Sequence, residues 1–299
     1  MSVQFCGLEL AHPIINGSGT FDAIAASRSF GEQLRERFPF AAYVSKTITL
    51  APREGNPPPR LWEAPAGLVN SIGLPNKGLD GYLSEDLPAL VGLGIGADGP
   101  AAIPLITNVM GASAQEIATL LRACDQRPEI AAVELNVSCP NVRTGLDIGA
   151  DPHTLEAVVR EVRGCTRKPL IVKLTPNTAD VGACARGAEQ GGADAVSLIN
   201  TLRASALTPR THDGGRTAAT PWLGGGSGGL SGPAIRAVAL AQVASVAARV
   251  SIPVIGMGGV QSAAHAQDLL DVGATLIAVG TESFRDPAAG TRIAAGLHM

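Results

Sequence analysis

Eight apolar runs recur along this chain at intervals that leave room for a helix between neighbours, and this rhythm restricts the fold more than any other feature. The runs fall at residues 12–16, 42–48, 103–108, 131–136, 170–174, 195–200, 253–256 and 276–280. Such short, nearly continuous hydrophobic stretches suit strands covered on both faces, as in a parallel sheet. Helical patterns occupy 23–37, 79–91, 114–126, 152–165, 179–190, 232–249, 263–272 and 287–297. Several carry start signals: Ser113 with Glu116 reads as a capping box, and Asp151-Pro152 and Asp286-Pro287 each read as a cap followed by an N1 proline. Regular strand–helix alternation predicts parallel βαβ units, and eight of them in 299 residues predict an α/β fold of the closed (β/α)8 TIM barrel type. The whole of 1–299 is read as a single domain, without a sequence repeat beyond that rhythm. Residues 3–10 alternate polar and apolar and predict a hairpin plugging one end of the barrel.

Two long excursions interrupt the pattern. Residues 50–78 are rich in proline, glycine and asparagine, and 202–229 end in the run Gly224-Gly-Gly-Ser-Gly-Gly229. Both follow the C-terminal ends of strands, the face on which barrels build their sites. The first is read as a substrate wall and the second as a lid, with a flexible linker as the alternative for the glycine run.

Composition excludes several classes. A net charge of −3 and a pI near 6.0 give no basic footprint for nucleic acid or a membrane surface. Five cysteines, odd in number and without a C-x-x-C pair, argue against disulfides or a cysteine-rich metal centre and fit a reducing cytoplasm. His12, His153, His212, His265 and His298 are scattered without metal-ligand spacing, so no metal is expected. The start of the chain has no basic region followed by a long apolar segment, and neither a signal peptide nor a membrane anchor is expected. There is no G-x-G-x-x-G after the first strand and no Walker-type loop.

Chemistry concentrates at the strand ends. The stretch Glu134-Leu-Asn-Val-Ser-Cys-Pro-Asn141 closes an apolar run with amides, a hydroxyl and a thiol, poor material for a core. Cys139 is a candidate base or nucleophile, stiffened by Pro140, whereas Cys6, Cys124, Cys165 and Cys184 read as small buried hydrophobes. By strand end, the polar groups are Ser18, Lys46, Asn108, Asn136, Lys173 and Asn200. Lys46 and Lys173 lie among apolar residues, and ammonium groups pointing into a barrel suit an anion. Gly256-Met-Gly-Gly259 and Gly280-Thr281 follow the seventh and eighth strands, where barrels hold phosphate on backbone N–H groups and a helix N-terminus.

Five motifs, in order along nearly the whole chain, carry a family likeness: Asn70-Ser-Ile-Gly-Leu-Pro-Asn76, Asn136-Val-Ser-Cys-Pro-Asn141, Gly228-Gly-Leu-Ser-Gly-Pro233, Gly256-Met-Gly-Gly259 and Val279-Gly-Thr281. Together they resemble the class 1 dihydroorotate dehydrogenases. The resemblance implies an FMN-containing barrel that oxidises (S)-dihydroorotate to orotate in pyrimidine (UMP) biosynthesis. It implies Cys139 as the base that takes a proton from ring carbon 5 while hydride leaves ring carbon 6 for the flavin. It implies substrate contacts from Lys46, Asn70, Ile72, Gly73, Leu74, Asn136, Asn141, Asn200 and Thr201. Flavin contacts are implied for Ser18, Lys46, Thr47, Asn108, Asn136, Lys173, Ile199, Gly232, Gly258, Gly259, Gly280 and Thr281. The membrane-associated class uses serine as base and carries an N-terminal helical extension, and Cys139 with the bare start sets this chain apart from it.

Within class 1, Asn136-Val-Ser-Cys-Pro-Asn-Val142 and Gly229-Leu-Ser-Gly-Pro-Ala-Ile235 resemble the NAD-linked (class 1B) catalytic subunit, whose partner carries FAD and a 2Fe-2S cluster. Arg53-Glu-Gly-Asn-Pro57 and Asn70-Ser-Ile-Gly-Leu-Pro-Asn76 are also similar to the fumarate-linked (class 1A) homodimers. The NAD-linked subclass is the main expectation, together with a homodimeric core. Two other readings are a tRNA-dihydrouridine synthase, which would bring a basic RNA face and a helical domain this chain lacks, and a flavin-free phosphate-binding barrel.

Overall fold

The computed structural model describes residues 2–97, 99, 102–138, 148–208 and 219–297, without the side chain of Arg35. In chain order the strands are β1 (Val3–Phe5), β2 (Leu8–Leu10), β3 (Ile14–Asn16), β4 (Tyr43–Val44), β5 (Leu61–Ala64), β6 (Gly67–Asn70), β7 (Leu105–Val109), β8 (Ile130–Asn136), β9 (Leu170–Lys173), β10 (Ala195–Leu198), β11 (Leu202–Ala204), β12 (Gly228–Ser231), β13 (Val254–Met257) and β14 (Leu276–Val279). The helices are α1 (Ala23–Phe30), α2 (Glu32–Glu36), α3 (Gly78–Gly81), α4 (Leu87–Val91), α5 (Ala114–Asp125), α6 (Pro152–Arg163), α7 (Val181–Gly191), α8 (Arg236–Ala247), α9 (Ala263–Asp271), α10 (Glu282–Arg285) and α11 (Ala289–Ala295). No helix among the described residues is long and apolar enough to cross a membrane.

Eight strands form one parallel sheet in the order β3-β14-β13-β10-β9-β8-β7-β4. The remaining seam, between β3 and β4, is joined by a backbone bond from Ala41 N to Ile14 O (2.9 Å) and by the amide of Asn16. That side chain donates to Val44 O and accepts from Val44 N, both at 2.8 Å, and so replaces a missing ladder rung with a peptide-like group. The expected (β/α)8 TIM barrel is therefore the observed fold.

Alternation along each strand sorts residues into two shells. Ile15, Val44, Ile106, Ala132, Ile171, Ala195, Ile255 and Leu276 face inward and form one apolar layer with Phe5 and Leu10 from the β1–β2 hairpin, which plugs the barrel as expected. Val133, Leu135, Leu170, Val172, Val196 and Leu198 face outward into the larger core under the helices. In α6, for example, Leu155, Val159 and Val162 are fully buried, while Asp151 Oδ1 caps the helix by accepting from Thr154 N at 2.7 Å and Pro152 takes the first helical position. At α5, Ser113 accepts from Glu116 N (3.2 Å), but the Glu116 carboxylate reaches one residue further back, to Ala112 N (2.9 Å).

Some helix boundaries differ from expectation. The pattern at 23–37 breaks into α1 and α2 at Gly31, whose φ of +54° no helix accommodates. The pattern at 79–91 runs from α3 through a π-helical turn, Tyr82–Asp86, into α4. The pattern at 232–249 opens with a 3-10 turn, Pro233–Ile235, ahead of α8. Asp286-Pro287 is not a cap with an N1 proline: α11 begins at Ala289, and Asp286 instead accepts from Ala288 N and pairs with Arg292 at 2.9 Å.

The two long excursions, read separately in the sequence, pair with each other. β5 and β6 from the first and β11 and β12 from the second make an antiparallel sheet in the order β11-β12-β6-β5. The glycine run is docked and not a linker. Gly224 donates to Pro59 O at 2.8 Å, and Gly228 and Gly229 lie within β12. Residues 209–218, the middle of the expected lid, lie outside the described residues.

Candidate active site

The barrel interior changes character two residues beyond its apolar layer. Period-two spacing carries Ile106 to Asn108, Ala132 to Glu134 and Asn136, Ile171 to Lys173, and Ala195 to Ser197, so amides, a carboxylate, an ammonium and a hydroxyl line the C-terminal half of the bore. Asn108, Glu134 and Ser197 are at most 2% exposed, and Lys173 is 6% exposed. Glu134 accepts from Asn108 Nδ2 at 2.5 Å and Ser197 Oγ at 2.7 Å, and its carboxylate stands 3.9 Å from Lys173 Nζ. With its nitrogen committed to Glu134, Asn108 presents a buried Oδ1 that meets no donor among the described residues. Next to it, Ser45 Oγ accepts from Asn108 N (3.0 Å), while Ser18 Oγ donates to Ser45 O (2.8 Å) and lies 3.4 Å from Thr47 Oγ1. Ser18, Thr47, Asn108 and Lys173 are thus brought to one wall.

A second group sits at the rim. Asn200 Nδ2 is 3.0 Å from Ser138 Oγ and 3.4 Å from Asn136 Oδ1, and Asn200 Oδ1 accepts from Thr201 N at 2.9 Å. Thr201 packs against Gly229 so tightly that a Cβ there would fall 1.9 Å from its Oγ1. Gly229 O in turn accepts from Asn70 Nδ2 at 3.2 Å. The small sheet therefore carries Asn70 to the same mouth as Asn136, Asn200 and Thr201, residues far apart in the chain. Ile72, Gly73 and Leu74 fold back on the preceding loop: Ile72 O accepts from Asn56 N (3.0 Å), and Asn76 Nδ2 holds Leu74 O (2.9 Å). Leu74 is left-handed at φ +55°, a strained conformation for a branched side chain of the kind found at ligand clamps.

The glycines of the last two strands converge as a third group. A Cβ on Gly259 would lie 2.9 Å from Gly232 O, one on Gly232 would lie 3.5 Å from Thr281 Cγ2, and Thr281 Oγ1 donates to Ser231 Oγ at 2.8 Å. Gly258 and Gly259, at φ +130° and +70°, adopt backbone conformations that side chains resist. At both positions a Cβ would also strike α8, on Ala239 and Arg236 respectively. Their absence of side chains lets the start of α8 meet the ends of β13 and β14, an arrangement suited to an anion. Gly280 is open, with only Thr20 Cγ2 within 4 Å, at 3.7 Å. Ile199, 3% exposed, packs beside Gly258, where a Cβ would come within 3.3 Å of its Cγ1.

Two expectations need separate statements. Lys46 lies beyond the two residues of β4 and is exposed, unlike Lys173, so only one of the two strand lysines is held inside the bore. Cys139 and Asn141 lie outside the described residues, which on this loop end at Ser138. The other cysteines are placed in the packing: Cys124 and Cys184 are buried, and Cys6 and Cys165 partly so. Burial pushes the thiol of Cys124 up to about 12 and that of Cys6 up to about 11, and also raises that of Cys184, so these sulfurs stay protonated at neutral pH. Among the described residues no cluster of three His, Cys, Asp or Glu could hold a metal. Sequence reasoning gave no role to Glu134, Ser197 or Ser45. For Glu134 a signal existed: a carboxylate inside an apolar strand, two residues before Asn136 and so on the same face.

A closed parallel barrel with a buried ammonium, an amide-lined mouth and glycines clustered after its last two strands defines a (β/α)8 enzyme whose site lies at the C-terminal ends of the strands. The dihydroorotate dehydrogenase family model matches residues 1–299, and the chain belongs to that family. It is 40% identical over 298 residues to the protein named dihydroorotate dehydrogenase B (NAD(+)), catalytic subunit, of Pelobacter propionicus, covering 99% of this chain and 92% of the relative. Proteins of the same name from Trichlorobacter lovleyi (41% over 303 residues, 100% and 92% covered) and Thermoanaerobacter sp. (41% over 288 residues, 96% and 89%) are similarly close.

Proposed function

We propose that this chain is the FMN-binding catalytic subunit of an NAD-linked dihydroorotate dehydrogenase, oxidising (S)-dihydroorotate to orotate in pyrimidine biosynthesis. The observation that carries the reading is the three-part bore, a buried polar wall, an amide rim and the glycines that follow β13 and β14, in a chain matched along its length to relatives of that name.

The residues fit the cofactor. Asn108 Oδ1 is a buried acceptor without a donor among the described residues, and the imide N–H of an isoalloxazine ring is a donor of the right kind. When bound, FMN supplies the hydride acceptor. Gly232, Gly258, Gly259, Gly280 and Thr281 would hold its phosphate, Ser18, Thr47, Asn108, Asn136 and Ile199 its ring and chain, and Lys173 the negative charge that accompanies reduction. Asn70, Asn136, Asn141 and Asn200 offer both donors and acceptors to a ring whose carbonyl and N–H groups alternate, with Lys46, Ile72, Gly73, Leu74 and Thr201 completing the substrate contacts. Lys46, exposed beyond β4, would meet the substrate carboxylate. Cys139 takes the C5 proton. The single domain, residues 1–299, works as part of a homodimer joined to a subunit with FAD and a 2Fe-2S cluster, in the cytoplasm.

Purified protein should be yellow and should oxidise dihydroorotate. Reduction of NAD only when the partner subunit is present supports the reading. Turnover with fumarate by the chain alone would replace it with the fumarate-linked one, and colourless protein unable to bind added FMN would reject both.

A further inference from the structure

Glu134 is a buried carboxylate in the middle of the bore to which the proposed reaction gives no work. Its two close partners, Asn108 and Ser197, are neutral donors, and the third group facing it is the Lys173 ammonium, 3.9 Å away. A buried ion pair is a poor device for stability alone, since apolar replacements of equal volume commonly do as well. Here the pair spans neighbouring strands β8 and β9, directly below Asn136, whose Cα partner in the register is Lys173.

We infer that Glu134 is a positioning residue that compensates the charge of Lys173 and so sets the reduction potential of the bound flavin. The inference rests on the flavin reading above. Asn108 and Ser197 anchor the carboxylate, the carboxylate holds the ammonium in the bore, and the same hydrogen bond turns the Asn108 amide so that its oxygen is left as an acceptor. Lys173 favours the anionic reduced ring over the neutral oxidised one, and Glu134 offsets part of that field.

The test uses holoprotein saturated with FMN and reads the two-electron reduction potential by equilibration with a reference dye in wild type, Glu134→Gln, Lys173→Met and the double variant. Glutamine keeps the size of the side chain and an oxygen for Asn108 or Ser197 while removing the charge. The potential of Glu134→Gln should rise by at least about 30 mV, equivalent to a tenfold gain in the preference of the protein for reduced over oxidised FMN. Lys173→Met should lower it, and the double variant should match Lys173→Met within threefold, because Glu134 acts through the lysine. An unmoved or lowered potential in Glu134→Gln overturns the inference, as does a double variant displaced tenfold from Lys173→Met. That second comparison decides the matter if Glu134→Gln fails to fold with an unpaired lysine. Wild type that binds no FMN sinks the functional reading itself, whereas bound FMN with an insensitive potential sinks only the role of Glu134.

Discussion

Gly229→Ala should leave the barrel and the proposed flavin site intact while damaging catalysis, because Gly229 is where the small sheet touches Thr201 and Asn70 of the proposed substrate rim. The added Cβ would fall 1.9 Å from Thr201 Oγ1 and 2.4 Å from Thr201 Cβ. Rotation about χ1 cannot relieve a clash with Cβ itself, so Thr201 or β12 must retreat by about 1 Å to reach a normal contact. Both directions move site residues: Thr201 is tied to Asn200 Oδ1 through its N–H, and Gly229 O is the acceptor for Asn70 Nδ2. Overpacking of this kind costs about 1–3 kcal/mol in stability. Displacing reacting groups by about 1 Å costs roughly 100-fold in rate, or about 2.7 kcal/mol of transition-state stabilisation. The assay is steady-state oxidation of dihydroorotate, with flavin content read from the visible spectrum of the same preparation. The expected result is near-stoichiometric flavin and kcat/KM lowered about 100-fold. A variant with full flavin and kcat/KM within about threefold of wild type would refute the placement of Thr201 and Asn70 at the substrate mouth.

Cys139→Ala should retain flavin and lose about 100- to 10,000-fold in turnover, the usual worth of a general base, and wild-type turnover in that variant would remove Cys139 from the reaction. Asp151→Ala should lower stability by about 1 kcal/mol through loss of the α6 cap, measurable as a lower denaturant midpoint at unchanged m-value. The protein should lose stability in acid for an identifiable reason. A backbone hydrogen bond from Arg167 holds Asp125 below the usual aspartate range, a hydrogen bond from Thr154 does so for Asp151, and one from Arg249 does so for Asp180. Groups whose pKa is depressed on folding stabilise the protein above the unfolded aspartate pKa of about 3.9, and that contribution is lost as pH falls through the lower folded values. Thermal midpoints should therefore fall as the pH drops below about 4, and replacing all three with asparagine should flatten that descent.

The barrel could be read from the chain because its two periodicities are local. Runs such as 131–136 and 170–174 announce buried strands, and caps such as Ser113 and Asp151 announce helix starts, within a few residues of themselves. Motif likeness went further and named residues for both halves of the site, of which Asn70, Asn136, Asn200 and Thr201, and separately Gly232, Gly259 and Thr281, do meet in space. Reading failed where one composition allows two local structures or where strand length decides exposure. Asp286-Pro287 has the composition of a cap, yet Ala288 N and Arg292 draw the aspartate away from that role. Lys46 and Lys173 look alike in sequence, but β4 is two residues long and leaves Lys46 exposed, while β9 carries Lys173 inward.

What the sequence determined by itself was the alternation of eight buried strands with helices, because hydrophobic spacing and backbone preference act between near neighbours. Only the tertiary structure decided that two glycine-rich excursions join in one sheet, that an asparagine side chain bridges the seam between β3 and β4, and that Glu134 is shared by Asn108, Ser197 and Lys173. Those are contacts between residues up to 163 positions apart, as between Leu68 and Ser231. They form because closing the barrel removes water from polar groups that then have no partners but one another.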